Sequence, residues 1–160
     1  MKTIFANLVV LLLPVLCCPS LAAAADSASG SVSLEGITFE VVDVLAYPNR
    51  DGLAIALSDT AFDKEKMRKD GKVDTFDRMR HGGQVVTINL SKGAPTQCVD
   101  YSFQKGDSRT SGSVCESGVA DAVELSENSD ERVAGKMNWK KDSGERIDVS
   151  FDAPVEAGGS

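Results

Sequence analysis

From residue 32 onward, apolar and polar residues alternate along most of the chain. A period of two is the signature of a half-buried β-strand, because successive side chains point to opposite faces. Val32 and Leu34 share one face, Glu35-Gly36 turns the chain, and Ile37, Phe39 and Val41 resume the alternation. Val42, Val44 and Ala46 continue on the opposite parity. One extra residue flips every later side chain, so the switch predicts a bulge near Val41-Val42. Pro48 to Gly52 reads as a turn, and Leu53, Ile55 and Leu57 as the next strand. Further strands are predicted around Val86, Ile88 and Leu90, around Val99, Tyr101 and Phe103, and at Val114-Cys115. Lys92 to Pro95 reads as a loop and KGDSRTSG as a turn region, and VADAVELS suits either strand or helix. The clearest hairpin is the last. Val133, Gly135, Met137 and Trp139 alternate, Lys141-Asp142-Ser143-Gly144 turns, and Ile147, Val149 and Phe151 return. The sum is a mainly β chain: an antiparallel sandwich or barrel of about eight strands.

One stretch breaks the pattern. Residues 59–81 carry Ala61, Phe62, the charged run Lys64–Lys69, then Val73, Phe76 and Met79 at helical spacing. Thr60 or Asp59 can cap a first turn, Asp70-Gly71 interrupts it, and His81-Gly82-Gly83 releases the chain. This predicts a short broken helix inserted between strands.

The N-terminus sets the compartment. Lys2 precedes an apolar stretch, Ile4 to Leu16, and the small residues Ala22–Ala25 follow. That is the plan of a secretory signal peptide. Its apolar core of about 12 residues is short against the roughly 20 that span a bilayer. Cleavage after Ala24 or Ala25 is expected, and lipidation at Cys17 or Cys18 is the less favoured alternative. The expected organisation is a signal peptide at 1–25, a loose lead-in at 26–31, one β-rich domain at 32–155 with its insertion at 59–81, and a tail at 156–160.

Removing residues 1–25 leaves 135 residues with 16 Lys+Arg against 24 Asp+Glu, a formal charge of −8. Such a chain repels nucleic acid and anionic lipid, which excludes both as partners. Two cysteines remain, Cys98 and Cys115. In an oxidising compartment they are expected as a disulfide. Neither lies in a CxxC motif or beside a histidine, so a metal or catalytic thiol is the weaker reading.

Charge singles out the insertion. Residues 59–81 sum to +1 and the rest of the exported chain to −9. Lys64, Lys66, Arg68, Lys69, Arg78 and Arg80, with His81 beside them, form a candidate basic recognition ridge on an acidic body. The competing reading is a solvated mixed-charge helix. His81 is the only histidine and has no neighbouring Ser or Cys to activate, so no catalytic residue is expected. Asp121, Glu124, Glu127, Asp130 and Glu131 lack the spacing of a calcium loop and read as a solvated acidic edge. No metal site and no cofactor are expected, and no nucleotide-binding or hydrolase motif is present.

Two stretches, GSVSLEGITFEVVDVLAYPNRDGLAIALSD and RVAGKMNWKKDSGERIDVSFDAPV, are similar to the first strands and the terminal hairpin of a group of small exported bacterial β-rich proteins. They cover about 50 of the 135 residues. The resemblance implies a fold and no catalytic residues, since that group is largely without assigned activity. Periplasmic immunity proteins are comparable by general type. The leading expectation is therefore a periplasmic or secreted protein-binding module, such as an inhibitor or immunity protein. A small-molecule or envelope-polymer binding β-domain is the alternative, and a hydrolase comes third.

Overall fold

The computed structural model describes residues 25–65 and 83–156. The expected signal segment with Cys17 and Cys18, most of the expected helical insertion, and tail residues 157–160 lie outside the described residues. Of the insertion, 59–65 is described, and only Lys64 and Glu65 have helical backbone.

The described residues form ten strands: β1 (Ser27–Leu34), β2 (Ile37–Glu40), β3 (Asp43–Asn49), β4 (Gly52–Ser58), β5 (Val85–Ser91), β6 (Ala94–Lys105), β7 (Ser108–Cys115), β8 (Val123–Asn128), β9 (Arg132–Lys140) and β10 (Arg146–Pro154). They make two five-stranded sheets, in the orders β2-β1-β10-β9-β8 and β3-β4-β5-β6-β7. The pairs within each sheet are antiparallel, so the fold is a β-sandwich.

Turn chemistry sets the registers. Leu34 pairs with Ile37, which leaves Glu35-Gly36 as a two-residue loop with φ of 52° and 74°. Ser91 pairs with Ala94 across Lys92-Gly93, with φ of 52° and 81°. Two successive positive φ values match the right-handed twist of the flanking strands. Lys92 and Gly93 are thus a tight turn, and Ala94 and Pro95 already belong to β6. The β9–β10 hairpin forms as expected, with Trp139 opposite Ile147 and Met137 opposite Val149.

Three features depart from the sequence reading. Val41-Val42 is a change of sheet rather than a bulge. The Val41 N–H donates to Gly30 O in the first sheet, and the Val42 N–H to Ser58 O in the second, each at 2.8 Å. Crossing the sandwich flips the inward parity just as a bulge would. Second, residues 27–31 are not a loose lead-in but the first part of β1, paired with β10 from Ser27–Asp152 to Ser31–Asp148. Third, most of KGDSRTSG is strand: only Gly106-Asp107 turns, and Ser108 onward is β7.

The inner faces of the sheets build one core. Val32 and Leu34 (β1), Met137 and Trp139 (β9), and Ile147, Val149 and Phe151 (β10) face Ile55 and Leu57 (β4), Val86 and Ile88 (β5), and Val99 and Phe103 (β6). Each such side chain contributes about 1.5–3 kcal/mol by leaving water. Phe39 on β2 meets Phe103 on β6 edge to face, with ring centres 5.9 Å apart, and so ties the two sheets together. A smaller cluster of Leu45, Tyr47, Ala54, Ala56, Phe62 and Val85 is buried on the outer face of the second sheet. Cys98 and Cys115 are directly opposite on β6 and β7 and form a disulfide. No helix among the described residues is long and apolar enough to cross a membrane.

Candidate functional site

Of the expected basic ridge, Lys66, Arg68, Lys69, Arg78, Arg80 and His81 lie outside the described residues. Lys64 is described, and it points inward. Its ammonium lies between the carboxylates of Asp26 and Asp43, and its side chain is 19% exposed. Asp43 also accepts the backbone N–H of Val44 at 2.8 Å and of Phe62 at 2.7 Å. Lys64 therefore fastens the chain after β4 to the starts of β1 and β3.

Two other surface features stand out among the described residues. The first is a sheet edge. An edge strand exposes unpaired backbone N–H and C=O groups, and proteins normally blunt it. Three of the four edges here are blunted in recognisable ways. β2 is four residues long. β3 is met by the chain after β10, through a parallel bridge between Ala46 and Val155 and a Glu156 N–H to Ala46 O bond of 2.8 Å. β8 carries the exposed carboxylates of Glu124 and Glu127 and a register shift between Leu125 and Glu127. The acidic run expected as a solvated edge thus lies partly on an edge strand, and Lys136 pairs with Glu124 at 3.0 Å.

β7 is different. It runs eight residues, SRTSGSVC, in unbroken register with β6. It has no proline and no lysine. Its one charge, Arg109, is folded back: the guanidinium donates to Ser102 Oγ at 2.9 Å and to Gly83 O at 3.1 Å. Among the described residues, β7 pairs with β6 alone.

Which groups face outward follows from the pairing. Antiparallel pairs alternate between hydrogen-bonded ones, with Cα atoms about 5.5 Å apart, and non-bonded ones at about 4.5 Å. The Cα atoms of Cys98 and Cys115 are 4.2 Å apart, so this pair is non-bonded. Counting along the register makes Arg109, Ser111 and Ser113 non-bonded as well. Gln104, opposite Arg109, agrees: its N–H turns away from β7 and donates to Gln84 Oε1 at 2.8 Å. The N–H and C=O groups of Arg109, Ser111, Ser113 and Cys115 therefore point off the edge of the sheet.

The surroundings of that edge are two-faced. On the outer face, Asp100 accepts from Ser113 Oγ at 2.5 Å and from Asn89 Nδ2 at 2.8 Å, and Asn89 in turn accepts from Asn49 Nδ2 at 3.1 Å. On the inner face, Gly112 lies opposite Tyr101. A Cβ on Gly112 would come within 2.5 Å of Tyr101 Oη, so the ring lies across the glycine and reaches the edge. Tyr101 stacks on Phe103 with ring centres 4.9 Å apart. Its phenol pKa is raised by burial and by the nearby Glu35 and Glu145 carboxylates. Lys141, bonded to Glu116 and 3.6 Å from Glu145, closes this end of the sandwich.

The second feature is a half-open cleft of about 560 Å³ at the opposite end. Pro48, Leu53 and Val155 give it apolar walls, and Asn128, Ser129 and Asp130 a polar rim. Asn128 Nδ2 donates to Gly93 O at 3.1 Å, bridging the β8–β9 and β5–β6 turns. Among the described residues no three His, Cys, Asp or Glu side chains converge as a metal site. The sequence reading placed a strand at Val114-Cys115 but took the first part of β7 for a turn, because its residues are small and polar. The signal that could have found it is Gly106-Asp107, which fits a two-residue hairpin loop and so implies a returning strand.

Comparison with protein-family models, with curated proteins and with solved structures gave no match.

Proposed function

We propose that this chain is an exported binding module that captures a polypeptide partner on the free edge of its second sheet, as an inhibitor or immunity protein would. The observation that carries the reading is the contrast between β7, eight residues in unbroken register and uncovered among the described residues, and three edges that are blunted. A row of free backbone donors and acceptors is a template for strand addition. The signal-like N-terminus and the Cys98–Cys115 disulfide support export to an oxidising compartment.

The test is Ser111→Pro. Proline removes an N–H that points off the sheet and leaves the β6–β7 ladder whole, and edge strands tolerate it. Wild type and variant are used to capture partners from periplasmic extract, and the urea midpoint of each is measured. The reading expects a stoichiometric polypeptide partner that the wild type holds and an equally stable variant loses. No such partner, or one held equally by both, overturns it. A second reading rests on the end cleft, whose volume suits a small envelope ligand. It expects Leu53→Arg to abolish thermal stabilisation by a sugar or peptide fragment that Ser111→Pro leaves intact.

A further inference from the structure

The same edge also bears on the chemistry of what it binds. Resting on the strand-addition reading, we infer that the partner segment is an extended strand in which apolar residues alternate with lysine or arginine, and that it pairs with the outward backbone groups of Arg109, Ser111, Ser113 and Cys115.

Side chains of an added strand alternate between the two faces of the sheet. Those on the inner face arrive beside Thr110, Gly112 and Val114. There Gly112 has no side chain to stand in the way, and the Tyr101 ring and the partly buried Val114 offer apolar surface continuous with the core. Burying an apolar side chain against them is the favourable choice. Those on the outer face arrive beside Ser111 and Ser113, with the Asp100 carboxylate one strand in. Asp107 lies at one end of β7 and Glu116 at the other. The only cation on β7 itself is already engaged with Ser102 and Gly83. The exported chain carries −8 overall, so its field attracts a cationic segment and opposes an anionic one. The same field opposes a second copy of this chain, whose approach would bring two equal negative charges together.

The probes are two capped peptides matched in length to β7, one of alternating lysine and valine and one of alternating glutamate and valine. Each is titrated into the disulfide-intact protein at low ionic strength, and backbone amide shifts are followed. The lysine peptide is expected to saturate at the amides of Arg109, Ser111, Ser113 and Cys115. It should bind at least about tenfold more tightly than the glutamate peptide and weaken as salt is added. Ser111→Pro should abolish the response. Equal binding of the two peptides, or shifts centred away from β7, overturns the inference. So does no binding of the lysine peptide. The natural-partner capture decides the parent reading separately: a partner lost in Ser111→Pro with a silent lysine peptide sinks the chemistry and leaves strand addition standing. Dimerisation through β7 in the free protein would also overturn the inference.

Discussion

Replacing Phe103 tests how the sandwich is held together. Phe103 is 1% exposed and among the largest fully buried side chains. It meets Phe39 of the other sheet at 5.9 Å and stacks on Tyr101 at 4.9 Å. Phe103→Ala removes a whole ring from a site walled by strands of both sheets, which cannot collapse freely. The expected loss is about 3–5 kcal/mol. Against a total of about 5–15 kcal/mol for a domain, that is a large fraction. With a urea slope near 2 kcal/mol per molar, the midpoint falls by roughly 2 M. Trp139, the single tryptophan and 5% exposed, reports the transition by fluorescence. A double-mutant cycle of Phe39→Leu and Phe103→Leu isolates the contact between the sheets, and about 0.5–1.5 kcal/mol of coupling is expected. A loss under about 1 kcal/mol for Phe103→Ala, or no coupling in the cycle, would show that the two rings do not meet across the core.

Other parts of the structure give further expectations. Cys98→Ser with Cys115→Ser should cost about 3 kcal/mol of stability, read as a lower urea midpoint, because the bridge closes a loop with a separation of 17 residues; an unchanged midpoint would contradict it. Gly30 has φ +111°, and a Cβ there would collide with the Asp148 carbonyl oxygen of the neighbouring strand, so Gly30→Ala should cost more than about 2 kcal/mol. Gly144 has φ +99° with open space around it, so Gly144→Ala should cost only about 1 kcal/mol. Equal costs would refute the close approach at Gly30. Tyr101 and Lys141 both have pKa values raised above their ordinary 10.0 and 10.5, Tyr101 chiefly by burial and Lys141 chiefly by its hydrogen bond to Glu116. The folded state thus holds these protons more tightly than the unfolded state. Their contribution is complete below about pH 10 and is lost as pH climbs through the raised values. Thermal melts from pH 9 to 11 should show stability falling, and Tyr101→Phe with Lys141→Met should flatten the decline.

What could be read from residues alone follows a physical rule. Hairpins whose strands bury one face, such as Met137/Trp139 against Ile147/Val149, leave a period-two trace that any sequence shows. The disulfide was legible because only two cysteines, Cys98 and Cys115, follow the signal-like segment, an even count suited to an oxidising compartment; that they sit directly opposite on β6 and β7 was not. The beginning of β1 was not, since Ala28 and Gly30 are too small to mark a face and the pairing is held by backbone bonds to β10. The end of β7 was read at Val114-Cys115, but its first part was missed for a related reason. An edge strand needs little apolar surface, so SRTSG looks like a turn until its register with β6 is known. The double burial of β3 and β4, where Leu45, Tyr47, Ala54 and Ala56 back the core residues, could be seen as unbroken apolar runs but not assigned to a face. The change of sheet at Val41-Val42 and a bulge leave the same mark on parity, and only the partners of the two N–H groups distinguish them.

The central claim is that β7 presents free backbone to a partner. Hydrogen exchange of its eight amides tests this most directly. In the isolated protein, Ser108, Thr110, Gly112 and Val114 should be protected by β6, while Arg109, Ser111, Ser113 and Cys115 exchange close to the rate of an unstructured chain. Protection along all eight would contradict the account, because it would mean the edge is already covered.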